Sequence, residues 1–244
     1  MTFGSFAEKW GSIKKEDKTS DEKRLFVEKG QEPLTQRQLN LYYYFLFIKK
    51  IVEDIGAKDI LEVGCGRGTM SLYLNKYLGL NTDLLDNDEA AVAVARKHFI
   101  EKSGTGNFFL VDALHTDLPA NHYDAIVSIG LAEHIENVEQ LFREQYRLLK
   151  PDGVMISLNI PKKFSIQFFN KVFLFFKNKL WKFSALPAAD YYRNSLKPKD
   201  YLKIAEKVGF KNVYIVNVCP FPLFTSLNIE IDKIITRDKD NHGF

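Results

Sequence analysis

The sequence predicts a doubly wound α/β domain: a mostly parallel sheet of about seven strands with helices on both faces. Three observations carry that expectation. Short apolar runs recur at intervals of roughly 20–30 residues with helical stretches between them, the rhythm of βαβ units. One run ends in an acid and a glycine-rich loop that opens a helix, as at the ligand-binding rim of open α/β sheets. The chain has 244 residues, 45% hydrophobic and 27% charged. That is ordinary globular composition with enough length for a sizeable core.

The elements follow in order. Residues 1–32 hold seven basic and seven acidic side chains and few apolar ones, and read as a loosely held N-terminal arm. Pro33 and Thr35 open a helical run that Gly56 stops. Leu39, Tyr42, Tyr43, Leu46, Ile51 and Ile55 fall at helical spacing along it. Residues 1–56 are thus an arm and a cap helix over the sheet rim. Strands are expected at 59–63, 80–86, 107–112, 123–129, 153–160 and 210–218. Helices are expected at 69–78, 88–102 and 137–149, with a short one near 113–120. Asp88 suits the N-cap of its helix. A last helix is opened by Ser195 or Lys197 before Pro198 and ended by Gly209. Residues 227–237 fit a strand or a helix equally. The whole chain, 1–244, reads as a single domain.

Residues 161–203 stand apart, with ten Lys/Arg against two Asp and 11 aromatics. They read as an insertion, 161–195, between the fifth strand and the last helix. Within 164–183, Phe168, Phe169, Val172, Phe173, Phe176 and Leu180 share one helical arc. Gln167, Asn170, Lys171, Lys177 and Asn178 share the opposite one. Three uses stay open: a lid over a substrate pocket, a peripheral membrane-surface helix, or a dimer or core contact. Nucleic acid is not expected as a partner. The net charge is only +3, and a helix with its rings on one face offers no stacking platforms. Two cysteines, Cys65 and Cys219, argue against a disulfide scaffold and suit a reducing, cytoplasmic setting. The N-terminus lacks the apolar stretch of a signal peptide, and no 18-residue apolar run is present.

The sharpest signal is ILEVGCGRGTMSLYL, 60–74. A strand ends in Glu62, Gly64, Gly66 and Gly68 alternate, and a helix begins. Glycines there allow left-handed backbone and let a ligand lie against bare amides. Dinucleotide sites favour G-x-G-x-x-G, but Thr69 stands at the last position. Glu62 would be an awkward neighbour for a pyrophosphate and suits an ammonium. Cys65 reads as a small loop side chain rather than a nucleophile.

This E-x-G-x-G-x-G loop resembles motif I of the class I S-adenosylmethionine-dependent methyltransferases, small-molecule (type 11-like) branch. The likeness covers roughly 58–218. It implies a Rossmann-like fold with S-adenosylmethionine as cofactor, its amino-acid end at Glu62, Gly64, Cys65, Gly66 and Gly68. Ribose would lie on Asp86 and Asn87, 22 residues past Gly64 in the case of Asp86. The adenine edge would lie near Asp112 and Ala113. YDAIVSIGLAEHI resembles the branch pattern ending in Glu-His, with Ile129 at the cofactor rim. LLKPDG and VGFKNV continue the likeness in order.

Methyl transfer needs a positioned nucleophile, a dry site and, for a hydroxyl acceptor, a base. His134 is the base candidate; orienting a helix or touching the cofactor are its other readings. Tyr42, Tyr43 and Tyr191 are candidate pocket walls. His98 reads as a surface residue of its helix. His98, His115, His122 and His242 form no helical pair with a carboxylate, so no metal is expected. After the fourth strand there is no Pro-Pro-aromatic tetrapeptide, as in the amino-methyltransferases of DNA bases, and no Pro-Cys, as in the cytosine-C5 enzymes, and the paired-glutamate loop of arginine methyltransferases is not evident. A small-molecule or lipid-like acceptor remains. The alternatives from other classes are an NAD(P)-binding oxidoreductase and a cofactor-binding, non-catalytic partner protein.

Overall fold

The computed structural model describes residues 25–33, 35–159 and 192–218. Its elements are α1 (Gln36–Asp54), β1 (Asp59–Val63), α2 (Thr69–Leu78), β2 (Asn81–Asp86), α3 (Glu89–Glu101) and β3 (Asn107–Leu110). There follow β4 (Tyr123–Ile129), a 3₁₀ turn (Ala132–His134), α4 (Val138–Leu148), β5 (Leu149–Leu158) and α5 (Pro198–Val208). The sheet order is β3-β2-β1-β4-β5, and every pairing is parallel.

Strand side chains alternate between two cores. Ile60, Leu84, Ala125 and Val127 join Phe45, Tyr73 and Phe99 from α1, α2 and α3 on one face. Leu61, Leu85 and Ile126 join Leu141, Phe142 and Ala205 from α4 and α5 on the other. Residues of β1 are therefore buried on both faces, which is why DILEV reads as a nearly unbroken apolar run. Ile60 and Leu61 are both fully buried, a burial that stabilises by about 1.5–3 kcal/mol per side chain. Parallel order and buried glycine-loop ends place the carboxyl termini of β1, β2 and β4 side by side.

Local chemistry sets the helix ends. The Asp88 side chain accepts from Ala90 N and Ala91 N, as its N-cap reading requires. Lys197 is the N-cap of α5, with Pro198 just inside and Gly209 beyond the end.

Four expectations are corrected. Among the described residues the sheet has five strands, not seven, and 210–218 forms none of them. Tyr214 is 81% exposed and Val216 58%; no described strand pairs with this segment, so its alternating pattern has no ladder to join. Phe210 and Val213 pack on the second core, Phe210 edge-on to Tyr146 at 5.0 Å. No helix forms at 113–120. Asp112 Oδ1 instead accepts from Leu114 N at 2.9 Å, a local turn that competes with helix. Arg147 then fastens the segment through Leu118 O and Thr116 O, both at 3.0 Å.

The end of the N-terminal arm is not loose. Leu25, Phe26 and Val27 are all buried. Val27 N donates to the Tyr73 hydroxyl at 2.7 Å, and the Tyr77 hydroxyl donates to Val27 O at 2.9 Å. Glu28 pairs with Lys102 at 2.6 Å. The buried stripe of α1 also differs from the expected one. It runs through Leu39, Phe45, Ile48 and Val52, while Leu46 and Ile55 are exposed. The stacking of Phe45 on Tyr73, 5.0 Å and 18° between ring planes, turns the helix that way. Tyr42 packs on the same ring at 6.0 Å, so helix packing is its observed use. The amphipathic run 164–183, Tyr191, Cys219, residues 227–237 and His242 lie outside the described residues.

Candidate active site

Beyond Val63 the chain turns sharply. Gly64 N and Cys65 N both donate to Leu85 O at 2.9 Å, which folds the loop over the end of β2. Gly64, Gly66 and Gly68 have φ of 69°, 52° and 65°, the left-handed region that strains any residue with a β-carbon. Space is also short at two of the three. A β-carbon on Gly64 would stand 2.9 Å from Leu131 Cδ1, and one on Gly68 2.7 Å from Leu84 Cδ2. The loop is thus a bare backbone cradle, closed on one side by α3 and on the other by the turn after β4.

Glu62 sits between Leu61 and Val63, so it shares the face of Ile60 and meets α2. Gly68, the N-cap, has no side chain to offer. Glu62 Oε2 supplies what is missing, accepting from Ser71 N at 2.9 Å and from the Ser71 hydroxyl at 2.5 Å. The group is only 4% exposed. Burial lifts its pKa from the ordinary 4.5 to about 7, against the pull of the two Ser71 bonds.

Asp86 ends β2. Its Oδ2 accepts from Gly66 N at 3.0 Å and its Oδ1 from Asp88 N at 3.1 Å. Burial raises its pKa against the backbone bonds from Gly66, Asp88 and Asn87, and a carboxylate with about four lone-pair sites retains capacity for a ligand hydroxyl. Asn87 beside it is exposed. Cys65 belongs to the apolar core, and burial pushes its thiol well up, which suits a packing role and not a nucleophile. Glu62 and Asp86 therefore form a cluster around the loop, Asp86 bonded to Gly66 within it and Glu62 to Ser71 in the first turn of the helix it opens. Asp112 and Ala113 lie just past β3, next to β2, with Val111 N donating to Asp86 O at 3.1 Å. The Asp112 carboxylate is exposed and turned to Leu114 N, so it is not drawn into that cluster.

After β4, Ile129 packs on the first core and Gly130 turns at φ 68°. Leu131 leans over Gly64, and the 3₁₀ turn carries Glu133 and His134. His134 Nδ1 lies 2.6 Å from Tyr192 O. A carbonyl can only accept, so Nδ1 carries the proton and the lone pair of the neutral ring is on Nε2.

Two residues of this region escape a reading of the sequence. His98 is buried, not on the surface: 2% exposed, its Nδ1 donating to Arg67 O in the glycine loop at 3.2 Å. Its Nε2 has no hydrogen-bond partner among the described residues, and burial lowers its pKa. The signal was available, since Ala91, Val94, Ala95 and His98 make one helical stripe. Asn194 is the other, and no spacing rule points to it.

A cavity of about 500 Å³ opens at the far end of the sheet, among Asp59, Asn81, Asp83, Asn107 and Tyr123. Its acids are already engaged: Asp83 by Tyr123 and Asn107, and Asp59 by Asn81 and Lys150. Among the described residues no cluster of His, Cys, Asp and Glu could hold a metal ion. No helix among them is long and apolar enough to cross a membrane.

Known proteins are similar to this chain over the stretch that carries the loop. Residues 61–157 match the family model described as a methyltransferase domain. A ubiquinone biosynthesis O-methyltransferase of Coxiella burnetii is 24% identical over 177 residues, 72% of this chain and 73% of its own length. A sterol 24-C-methyltransferase of Pneumocystis carinii is 33% identical over 104 residues, 41% of this chain but 27% of its own. A crystal structure from Bacillus halodurans shares the fold, with a TM-score of 0.52 and 21% identity over 68% of each chain. A bare cradle with an acid at the end of β2 suits a nucleoside bearing an amino acid better than a pyrophosphate. Through residues 61–157 the chain carries a methyltransferase domain, similar to those of the class I S-adenosylmethionine-dependent methyltransferases.

Proposed function

We propose that this methyltransferase alkylates a hydroxyl oxygen of a small, lipid-like acceptor, with His134 removing the hydroxyl proton. The observation that carries the reading is the bond between His134 Nδ1 and Tyr192 O. It fixes the tautomer whose Nε2 lone pair can take a proton, the state a general base needs. A relative that covers 72% of this chain is named an O-methyltransferase, in line with a hydroxyl acceptor.

When bound, S-adenosylmethionine supplies a methyl group on a sulfonium, already activated for in-line displacement. The chain's own residues then position and exclude. The amides of Gly64 to Gly68 line the amino-acid end, and Glu62 stands near its ammonium. Asp86 and Asn87 accept from the ribose hydroxyls, Asp112 and Ala113 border the adenine, and Ile129 closes the rim. His134 Nε2 would take the hydroxyl proton as the acceptor oxygen takes the methyl carbon, the electron pair of the broken carbon–sulfur bond staying with sulfur.

In this reading the chain works as one domain, 1–244, in the cytoplasm. The insertion 161–195 covers the acceptor, with a peripheral membrane contact through 164–183 as the second use its basic, aromatic faces fit. The test is a screen with labelled donor against cell extracts, with mass spectrometry of the labelled product. His134→Ala should then lower turnover by about 10²–10⁴-fold with cofactor affinity near wild type. Parallel loss of cofactor binding with no separate effect on turnover would make His134 a cofactor contact instead. Deleting 164–183 separates the two uses of the insertion. A lid predicts lost acceptor methylation, whereas a membrane helix predicts lost binding to anionic vesicles alone.

A further inference from the structure

We infer that Asn194 is a positioning residue that holds the turn bearing His134 and so selects the tautomer of its ring. The inference deepens the proposed function and rests on His134 acting as the base. Asn194 lies 60 residues beyond His134 in sequence, at the foot of the insertion, yet it is bonded to the His134 turn throughout. Its Nδ2 donates to Ala132 O at 2.7 Å and to Ile135 O at 2.9 Å, the residues on either side of the Glu133–His134 pair. Its backbone N donates to Glu133 O at 2.8 Å. Three carbonyls of the turn are thereby fixed by one residue.

The other end of the side chain is anchored too. Oδ1 accepts from the Tyr201 hydroxyl at 3.0 Å and from Leu196 N at 3.3 Å. Both amide donors and both lone pairs of the carbonyl are therefore used, the full capacity of an asparagine. Tyr201 belongs to α5 and packs with Phe142 of α4, ring centroids 6.4 Å apart. The chain of support thus runs from the packed α4–α5 layer through Tyr201 and Asn194 to the turn. Tyr192, two residues before Asn194, presents the carbonyl that receives His134 Nδ1. Fixing Asn194 to the turn fixes where that carbonyl stands, and hence which ring nitrogen carries the proton. Aspartate cannot substitute, because a carboxylate would face Ala132 O and Ile135 O with no donor. Leucine fills the volume and supplies none of the four bonds.

The test reads the tautomer itself, by side-chain ¹⁵N–¹H correlation spectra of His134 in the full chain near pH 8. The wild type should show the proton on Nδ1 and none on Nε2. Asn194→Leu should populate the Nε2-protonated form or average the two. Tyr201→Phe removes a single anchoring hydroxyl and should shift the populations in the same direction to a smaller extent. It serves alone if Asn194→Leu fails to fold. A His134 spectrum unchanged in the folded Asn194→Leu protein, or unchanged in Tyr201→Phe when Asn194→Leu does not fold, overturns the inference. A lowered melting temperature with an unchanged spectrum would show a merely structural asparagine, and overturns it equally. The base reading fails separately, when His134→Ala retains wild-type transfer of labelled methyl while the tautomer still responds to Asn194.

Discussion

Replacing Glu62 by glutamine should stabilise the protein above neutral pH and leave it unchanged in acid. Glu62 is buried, accepts both Ser71 bonds through one oxygen and has its pKa raised to about 7 by burial. Between about pH 4.5 and 7 the folded protein holds a proton on Glu62 that the unfolded chain has released. Stability therefore falls with rising pH across that window by about 1.4 kcal/mol per unit. The contribution is fully present below 4.5 and lost above 7, about 3 kcal/mol in all. A glutamine at this position would keep an oxygen for both Ser71 bonds and has nothing to ionise. Urea unfolding of wild type and Glu62→Gln at pH 5, 6, 7 and 8 measures the difference directly. The variant should match wild type at pH 5 within about 1 kcal/mol and lead it by about 2–3 kcal/mol at pH 8. Parallel stability curves across that range would refute the reasoning, since they would mean that Glu62 titrates alike folded and unfolded. The same group gives a cofactor readout. An ammonium beside Glu62 favours its ionised form, so S-adenosylmethionine binding at pH 7 should release protons. Calorimetry in two buffers of different ionisation enthalpy reads that release, and equal heats would remove the ammonium from Glu62.

Three further outcomes are expected. His98 titrates in the opposite sense: with its folded pKa lowered by burial, the unfolded chain takes up the proton first. Stability should then decline as pH falls below about 6.5, and His98→Gln should lack that decline in urea unfolding at pH 7.5 and 5.5; identical slopes would count against the buried ring. Gly68→Ala should destabilise by about 1–3 kcal/mol, from φ of 65° and the 2.7 Å approach to Leu84 Cδ2, and an unshifted denaturation midpoint would contradict it. Asp86→Ala should weaken S-adenosylmethionine binding by about 1.5–3 kcal/mol through lost charged hydrogen bonds, measured by calorimetry; unchanged affinity would take Asp86 out of the site.

What the sequence disclosed and what it hid divide along one physical line. β1, β2 and β4 were legible because burial on both faces demands apolar runs. The glycine loop was legible because only glycine tolerates three left-handed residues so close together. Asp88, Pro198 and Gly209 act within four residues of themselves, so their caps could be read in place. The segment 210–218 could not be judged that way, because alternation becomes a strand only beside a partner. Asn194 was hidden for the same reason, since its bonds cross 60 residues of chain and leave no periodic trace.

Glu62 shows that the division is not strictly one of distance. Alternation along β1 puts it on the face of Ile60, the face that α2 covers. Gly68 leaves α2 without a side-chain cap, and Ser71 is the third residue of that helix, where a capping acceptor is needed. Parity and helix position together assign the carboxylate to Ser71, where it is found. Charge alone assigns Glu62 to an ammonium. A buried acid whose proton is held to about pH 7 by burial is a weaker partner for a cation than an exposed one. Its first function in this fold is to close the start of α2, and any ligand role is built on that.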